Sequence, residues 1–216
     1  MPADVLRRPL KAAAKKLGGV RTRCAQEEGV LLTFDDGPHA EVTPAILDRL
    51  KDYDVKAVFF ILGRNIELAP DLLQRILDEG HVIGNHSYRH ELAGGVHVID
   101  YYRDLMRCQD AVFACTRYRP ALFRPPTGAL SIASIGAAML AGLAPVLWSV
   151  DARDWALRSV DGAAQAGRRL AAELGRGDIL LLHDDHPFLT PLLDELLPRL
   201  REAGLNRTVS GLPRLG

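Results

Sequence analysis

The stretch VLLTFDDGP, residues 30–38, sets an unbroken apolar run directly against two aspartates and a Gly-Pro pair. Hydrophobicity along VLLTF is continuous, not alternating, as expected of a strand covered on both faces in a parallel sheet. The downstream residues fit that reading. TPAILDRLKDY (43–53) has a helical apolar face, with Thr43 as the expected N-cap and Pro44 at the first helical position. VKAVFFIL (55–62) is strand-like, PDLLQRILDEG (70–80) is a helix closed by Gly80, and HVIGNHS (81–87) is a third strand. A helix from Ile99 to Thr116, a short strand ALF (121–123) and a helix capped by Ser131 (131–142) come next. APVLWSV (144–150), a helix over 161–174, DILLL (178–182) and a helix over 190–203 complete the series.

Strands alternating with helices imply a parallel sheet joined by crossovers. Six strands are expected, with a seventh in NRTVSGL (206–212). That number suits a small barrel or an open doubly wound sheet. No G-x-G-x-x-G or G-x-x-x-x-G-K-[ST] comes after any strand, which removes the usual nucleotide-binding reason for the open form. No internal repeat, low-complexity tract or linker divides the chain, so a single domain is expected.

Composition narrows the function. The 216 residues can bury a sizeable core, and 48% hydrophobic with 25% charged residues is ordinary for a globular protein. Twenty-seven basic residues balance twenty-seven acidic ones, which argues against a nucleic-acid partner and suits a neutral one. The balance is uneven, because residues 1–24 carry seven basic side chains against Asp4 alone. Leu6, Leu10, Ala13, Ala14 and Leu17 recur near helical spacing there. This basic segment, residues 1–28, is expected to be helical, either capping the fold or lying against an anionic membrane surface. The sequence has no transmembrane-length apolar window and no visible secretory signal, so the expected location is the cytoplasm or the cytoplasmic membrane surface. Cys24, Cys108 and Cys115 do not suggest a disulfide framework. Cys108 and Cys115 would lie roughly 10 Å apart along a helix at about 1.5 Å per residue, too far to bridge, and all three are read as buried thiols.

The unusual polar residues gather at the C-terminal ends of the expected strands, the edge that carries active sites in barrels and parallel sheets. Asp35 and Asp36 end the first, His86 and His90 follow the third, Arg124 the fourth, Asp151 and Asp154 the fifth, and His183 the sixth. Two histidines four apart share one face of a helical turn and can hold one metal, as in H-E-x-x-H sites. Position 87 is serine, so the base must come from another strand. Asp35 and Asp36 supply one carboxylate as a third ligand and one as the base, and a cation between the elements relieves their repulsion.

TFDDGP (33–38), HSYRH (86–90), RPP (124–126), DARDW (151–155) and LLH (181–183) occur in that order. Together they resemble the five motifs of the NodB-type polysaccharide deacetylases, carbohydrate esterase family 4, from about residue 30 to about residue 204. The resemblance implies a single-domain irregular (β/α) barrel over residues 29–216, with seven strands and the site at their C-terminal ends. It also implies removal of N- or O-acetyl groups from an acetylated glycan with one divalent ion, zinc foremost and cobalt, manganese or nickel as other candidates. On the matching positions, Asp36, His86 and His90 would ligate the metal, Asp35 would be the base deprotonating the attacking water, and Arg124 would orient it. His183 would be the acid protonating the leaving amine, tuned by Asp154, and Trp155 and Leu181 would pocket the acetyl methyl. The backbone N–H of Thr127 would steady the oxyanion, although the family commonly has an aromatic residue there. That departure touches substrate preference. Asp151 is left outside the site as a loop cap, and His39 and His186 are placed at the rim. The expected activity is N-deacetylation of an amino-sugar glycan; the alternatives are an acetylxylan-type O-acetyl esterase, a catalytically silent glycan-binding protein of the same fold, and an amidase acting on non-sugar amides.

Overall fold

A computed structural model describes residues 19–24, 29–92 and 94–206. The strands are β1 (Leu31–Asp35), β2 (Val58–Ile61), β3 (Val82–Asn85), β4 (Leu122–Phe123), β5 (Ala144–Pro145), β6 (Val150–Asp151) and β7 (Ile179–His183). The helices are α1 (Val42–Asp52), α2 (Pro70–Asp78), α3 (Val98–Thr116), α4 (Ile132–Leu140), α5 (Val160–Glu173) and α6 (Leu189–Glu202). The seven strands form one sheet in the order β5-β4-β3-β2-β1-β7-β6, parallel throughout, curled into a partial barrel. None of the helices among the described residues is long and apolar enough to cross a membrane.

The two-residue period of a strand divides the core in two. Leu32 and Phe34 of β1, Phe59 and Ile61 of β2, and Leu180 and Leu182 of β7 face outward against Ile46, Leu47 and Leu50 of α1 and the leucines of α6. Leu31, Val58, Phe60, Leu122 and Ile179 face inward and pack with Val146. A third cluster joins Tyr101 and Leu105 of α3 to Phe123 and the alanines Ala133, Ala137 and Ala138 of α4. Both faces of the central strands are therefore buried, which is why they read as continuous apolar runs.

The seventh strand arises where the sequence reading did not place it. Of NRTVSGL only Asn206 is described, so that expectation lies outside the described residues. Instead APVLWSV splits. Its first part is β5 beside β4, and its end is β6 beside β7, so one apolar run supplies both edges of the sheet. The span between crosses the gap: Val146 N–H donates to Phe123 (2.8 Å), Leu147 N–H to Arg21 (2.7 Å) and Ser149 N–H to Ile179 (3.0 Å). An apolar run shows that a segment is buried, not which neighbour it pairs with, and here the pairing changes partway along. Residues 19–24 fill the gap from the N-terminal side, with Arg21 bridged to Val146 and Arg23 to Asp178. Residues 19–24 are thus bridged to the sheet and not helical, and the remainder of the basic segment expected to be helical over residues 1–28 lies outside the described residues.

Ser131 caps α4 in a reciprocal capping box with Ser134, as expected. Thr43 does not cap α1. The helix begins at Val42, and the Thr43 hydroxyl accepts from His39 N–H (2.8 Å) and donates to Asp184 (2.8 Å). A buried carboxyl group outcompetes the helix terminus for that hydroxyl. Cys108 is buried, Cys24 half-buried and Cys115 exposed, and all three are free, so the expectation of buried thiols holds fully only for Cys108.

Candidate metal and proton-transfer site

Strand register places the first pair of candidates. Asp35 at the end of β1 lies beside His183 at the end of β7. Asn85 at the end of β3 lies beside Phe123, so the next residues along, His86 and Arg124, emerge together. Arg124 is fully buried. One of its terminal nitrogens donates to Asp35 Oδ1 and Thr33 Oγ1, both at 2.7 Å; its other N–H groups reach the carbonyls of Val146 (3.2 Å) and Leu147 (3.1 Å). Its guanidinium also stacks 4.2 Å from the Phe60 ring centroid. Burial opposes its charge and Asp35 supports it.

His86 Nδ1 lies 2.7 Å from the Arg124 carbonyl. A carbonyl only accepts, so Nδ1 carries the proton and Nε2 presents a lone pair. That lone pair points to Asp36 Oδ1 (3.4 Å) and lies 3.7 Å from Asp35 Oδ2, while His90 Nε2 approaches Asp36 Oδ1 at 3.3 Å. Asp36 Oδ1 is buried and has no hydrogen-bond donor. One ligand atom from each of Asp36, His86 and His90 falls within 4.8 Å of the others. A buried carboxylate oxygen without a donor, facing two imidazole nitrogens, is a donor set suited to a cation, and the carbonyl behind His86 is the support such ligands have. Burial alone would raise the Asp36 carboxyl, but the neighbouring imidazoles, His86 foremost, bring it to about 2. Burial lowers the pKa of His90.

The two histidines do not converge through a helical turn. Ser87 (φ 71°) and His90 (φ 62°) both lie in the left-handed region, an irregular turn that side chains hold together. Ser87 N–H donates to Asn85 Oδ1 (2.8 Å), Tyr88 N–H to Asp104 (2.9 Å), Arg89 N–H to the same oxygen (3.4 Å) and His90 N–H to Ser87 Oγ (3.0 Å). The sequence reading missed Asp104, which sits on α3 without any local motif. Asp36 is also left-handed (φ 75°), next to a Gly37 whose Cα abuts the Asp184 carboxyl group. Burial pushes the Asp184 pKa well above the carboxylate range. A Cβ at position 37 would overlap that group, so Gly37→Ala is expected to displace Asp36 and lower metal affinity by at least about tenfold, read by isothermal titration with zinc.

On the other side, His183 is clamped by Asp154, which is fully buried. Asp154 Oδ2 accepts from His183 N–H (2.7 Å) and Oδ1 lies 2.8 Å from Nδ1, leaving Nε2 as the free ring nitrogen. Burial opposes the imidazolium, but Asp154 outweighs it, aided by Asp35 and Asp36, and draws His183 up to about 9.

Asp35, Asp36, His86, His90 and His183 meet in a cavity of about 370 Å³, whose walls include Thr127, Trp155 and Leu181 as expected, together with Trp148 and Asp151. Leu181 is buried and Trp155 is 56% exposed, so Trp155 is not core. Asp151 does cap a loop, accepting from Arg153 N–H (2.8 Å), yet it also lines the cavity. Its place at the end of β6 was the signal for including it. Thr127 is a β-branched residue in the left-handed region (φ 56°, ψ 13°), a conformation costing about 1–3 kcal/mol. No acceptor among the described residues takes its N–H. Neither His39 nor His186 is among the cavity-lining residues.

Residues 22–146 match the polysaccharide deacetylase family. A peptidoglycan-N-acetylglucosamine deacetylase of Listeria monocytogenes is 39% identical over 175 residues, 81% of this chain and 36% of that protein, so the chain spans about a third of that relative's length. A chitooligosaccharide deacetylase of a Bradyrhizobium strain is 34% identical, with 83% and 79% covered. Among solved structures, a peptidoglycan N-acetylglucosamine deacetylase in complex with 4-naphthalen-1-yl-N-oxidanyl-benzamide superposes with a TM-score of 0.83 at 33% identity, covering 91% of this chain and 92% of its own. A Bacillus anthracis protein described as a pseudoenzyme of carbohydrate esterase family 4 gives 0.78 at 27% identity, covering 88% and 66%. A match over more than half of the chain, carried by motifs that converge in one cavity, makes this chain a member of the polysaccharide deacetylases, the NodB-type family 4 of carbohydrate esterases.

Proposed function

We propose that the chain is a metal-dependent hydrolase that removes N-acetyl groups from the amino sugars of a glycan. The observation that carries this reading is the placement of three units around one cavity: the Asp36–His86–His90 cluster, the Asp35–Arg124 pair and the His183–Asp154 pair. The names of relatives that act on N-acetylglucosamine of peptidoglycan and on chitooligosaccharides support the amide over the ester. Fold likeness alone does not separate an enzyme from a silent relative, as the pseudoenzyme among the structural neighbours illustrates. Of the ten residues expected of the site, eight line the cavity, and the other two, Arg124 and Asp154, pair with Asp35 and His183 on its wall.

A divalent ion held by Asp36, His86 and His90, zinc in our reading, would polarise the acetyl carbonyl and acidify water. Asp35, fixed by Arg124, takes the proton of the attacking water. The Thr127 N–H, aimed by its left-handed backbone and lacking any other acceptor, donates to the developing oxyanion. His183 delivers a proton from Nε2 to the leaving nitrogen, and Asp154 keeps it charged for the task. Trp155 and Leu181 offer the acetyl methyl an apolar surface.

The acid role has a pH consequence. A histidine with a raised pKa contributes stability that is complete below its ordinary value near 6.5 and is lost as pH rises through about 9. A bound cation would offset the share due to Asp35 and Asp36 but leave the Asp154 pair intact. Asp154→Asn is therefore expected to move the alkaline limb of kcat/KM to lower pH, and its loss of stability relative to wild type should be largest near pH 6. His183→Ala should slow amide hydrolysis by about 10²–10⁴, and an activated ester much less, because a good leaving group needs no proton. Equal losses on both substrates would remove the acid role.

Acetate release from chitooligosaccharides, peptidoglycan fragments and acetylated xylan, with chelator and with zinc, cobalt or manganese restored, tests the whole reading. Release from the xylan ester alone would make the chain an O-acetyl esterase, and glycan binding without release would make it a silent relative.

A further inference from the structure

Helix α4 is built inside out. Its small residues Ala133, Ala137 and Ala138 are buried against α3 and Phe123, while Ile132 is 83%, Met139 75% and Leu140 60% exposed. Ile135 and Gly136, half-buried, fill the helical positions between, so the outward side of α4 carries one apolar stripe from Ile132 to Leu140. Val98 of α3 borders it, its Cγ1 lying 3.3 Å from where a Cβ on Gly136 would stand. Every other helix of the described residues exposes charged side chains; α4 has none, and the chain has none from Pro125 to Val150. Scattered apolar residues on a surface are ordinary, but a contiguous stripe of large ones marks a contact surface.

Charge indicates what it meets. Residues 1–18 lie outside the described residues, and by sequence they hold Arg7, Arg8, Lys11, Lys15 and Lys16 against Asp4. They join the described chain at Gly19, two positions before Arg21, whose N–H donates to Pro145 of β5 (3.0 Å). The bridge between Arg21 and Val146 is parallel, so the chain before Arg21 runs back towards Ala144, the start of β5. Helix α4 leads into the same strand through residues 141–143, with Leu143 N–H donating to Ala138 (2.9 Å). The basic run thus enters beside the last turn of α4, in a stretch that offers no acid of its own to neutralise it. A partner that is apolar under α4 and anionic beside it has the chemistry of an acidic lipid bilayer, hydrocarbon beneath a layer of phosphates. A second copy of the chain fits less well, because pairing two stripes about a twofold axis would bring the two basic runs to one interface.

We propose that α4 docks on the surface of an anionic lipid bilayer, with Ile132, Met139 and Leu140 entering the interface and the basic run of residues 7–16 holding the lipid headgroups. The stripe begins five residues after Thr127 of the cavity wall, so the docked chain carries its cavity beside the lipid surface.

The experiment is sedimentation of the full chain with vesicles of phosphatidylcholine alone and of phosphatidylcholine with an equal part of phosphatidylglycerol. Wild type is expected to bind the anionic vesicles at least about tenfold more tightly, a preference that rising salt erases. Ile132→Gln/Met139→Gln keeps every charge and is expected to weaken that binding at least about tenfold, each single variant giving part of the loss. Both positions are exposed and outside the cavity, so the unfolding midpoint should hold and acetate release from chitotetraose in solution should stay within about twofold of wild type. Lys11→Gln/Lys15→Gln/Lys16→Gln should also weaken binding at least about tenfold and flatten its salt dependence. Wild type that sediments with neither vesicle, equal binding to both kinds, or wild-type binding by Ile132→Gln/Met139→Gln would each overturn the docking face. A dimer in ultracentrifugation that Ile132→Gln/Met139→Gln dissolves would give the stripe to a second copy and overturn it as well. Vesicle binding is read without turnover, so it stands or falls apart from the deacetylase reading.

Discussion

Asp35→Asn is expected to lower kcat by about 10²–10⁴ while the chain still binds zinc. The substitution keeps the size of the side chain and an oxygen for Arg124, but removes the carboxylate proposed to accept the proton of water. Asp35 Oδ2 is 3.7 Å from His86 Nε2, on the ligand cluster's border and not among its three members, so metal affinity should hold within about tenfold. Asp36→Ala should do the reverse and abolish metal uptake itself. Single-turnover acetate release paired with zinc titration separates the two. Near-normal kcat in Asp35→Asn would show that the proton goes elsewhere.

Arg124→Met is expected to cost about 3–5 kcal/mol of folding stability, read from urea unfolding midpoints, the scale measured when one partner of a buried ion pair is removed. Arg124 is among the largest fully buried side chains of the described residues, and its loss would strand the Asp35 carboxylate, Thr33 Oγ1 and the carbonyls of Val146 and Leu147. The double variant Asp35→Leu/Arg124→Met should recover much of this, because replacing both buried charges removes the unpaired carboxylate. A single-variant loss below about 1 kcal/mol would mean that water reaches Asp35. The guanidinium thus joins Asp35 and Thr33 of β1 to the span that runs from β5 towards β6.

The parts of this architecture that repeat locally were legible in the sequence. Continuous apolar runs marked β1, β2 and β7, and the Ser131 cap marked the start of α4. Polar residues clustered after the strands because strand ends point them to one edge, so His86, His90 and one of the two adjacent aspartates could be named from the residues, and the family resemblance singled out Asp36. Features that depend on distant partners were not legible. The splitting of 144–150 into β5 and β6 comes from barrel closure, a property of the whole sheet. The diversion of Thr43 from cap to buried hydrogen bond depends on Asp184, 141 residues away. The left-handed turn at 87–90 looks helical by spacing alone, since spacing records separation and not the sign of φ. Trp148 was overlooked because only the cavity shows that it faces inward, and Asp151, noted at its strand end, was set aside as a loop cap although it serves as both.

The amides of that turn, Ser87 through His90, are all bound by the protein's own side chains. Nothing in its scaffolding waits for an ion, so folding and metal loading are separable events, unlike those of small zinc domains that are unstructured when stripped. A chelated sample should remain a folded, reloadable protein, and the affinity for the ion need not be spent on ordering the chain.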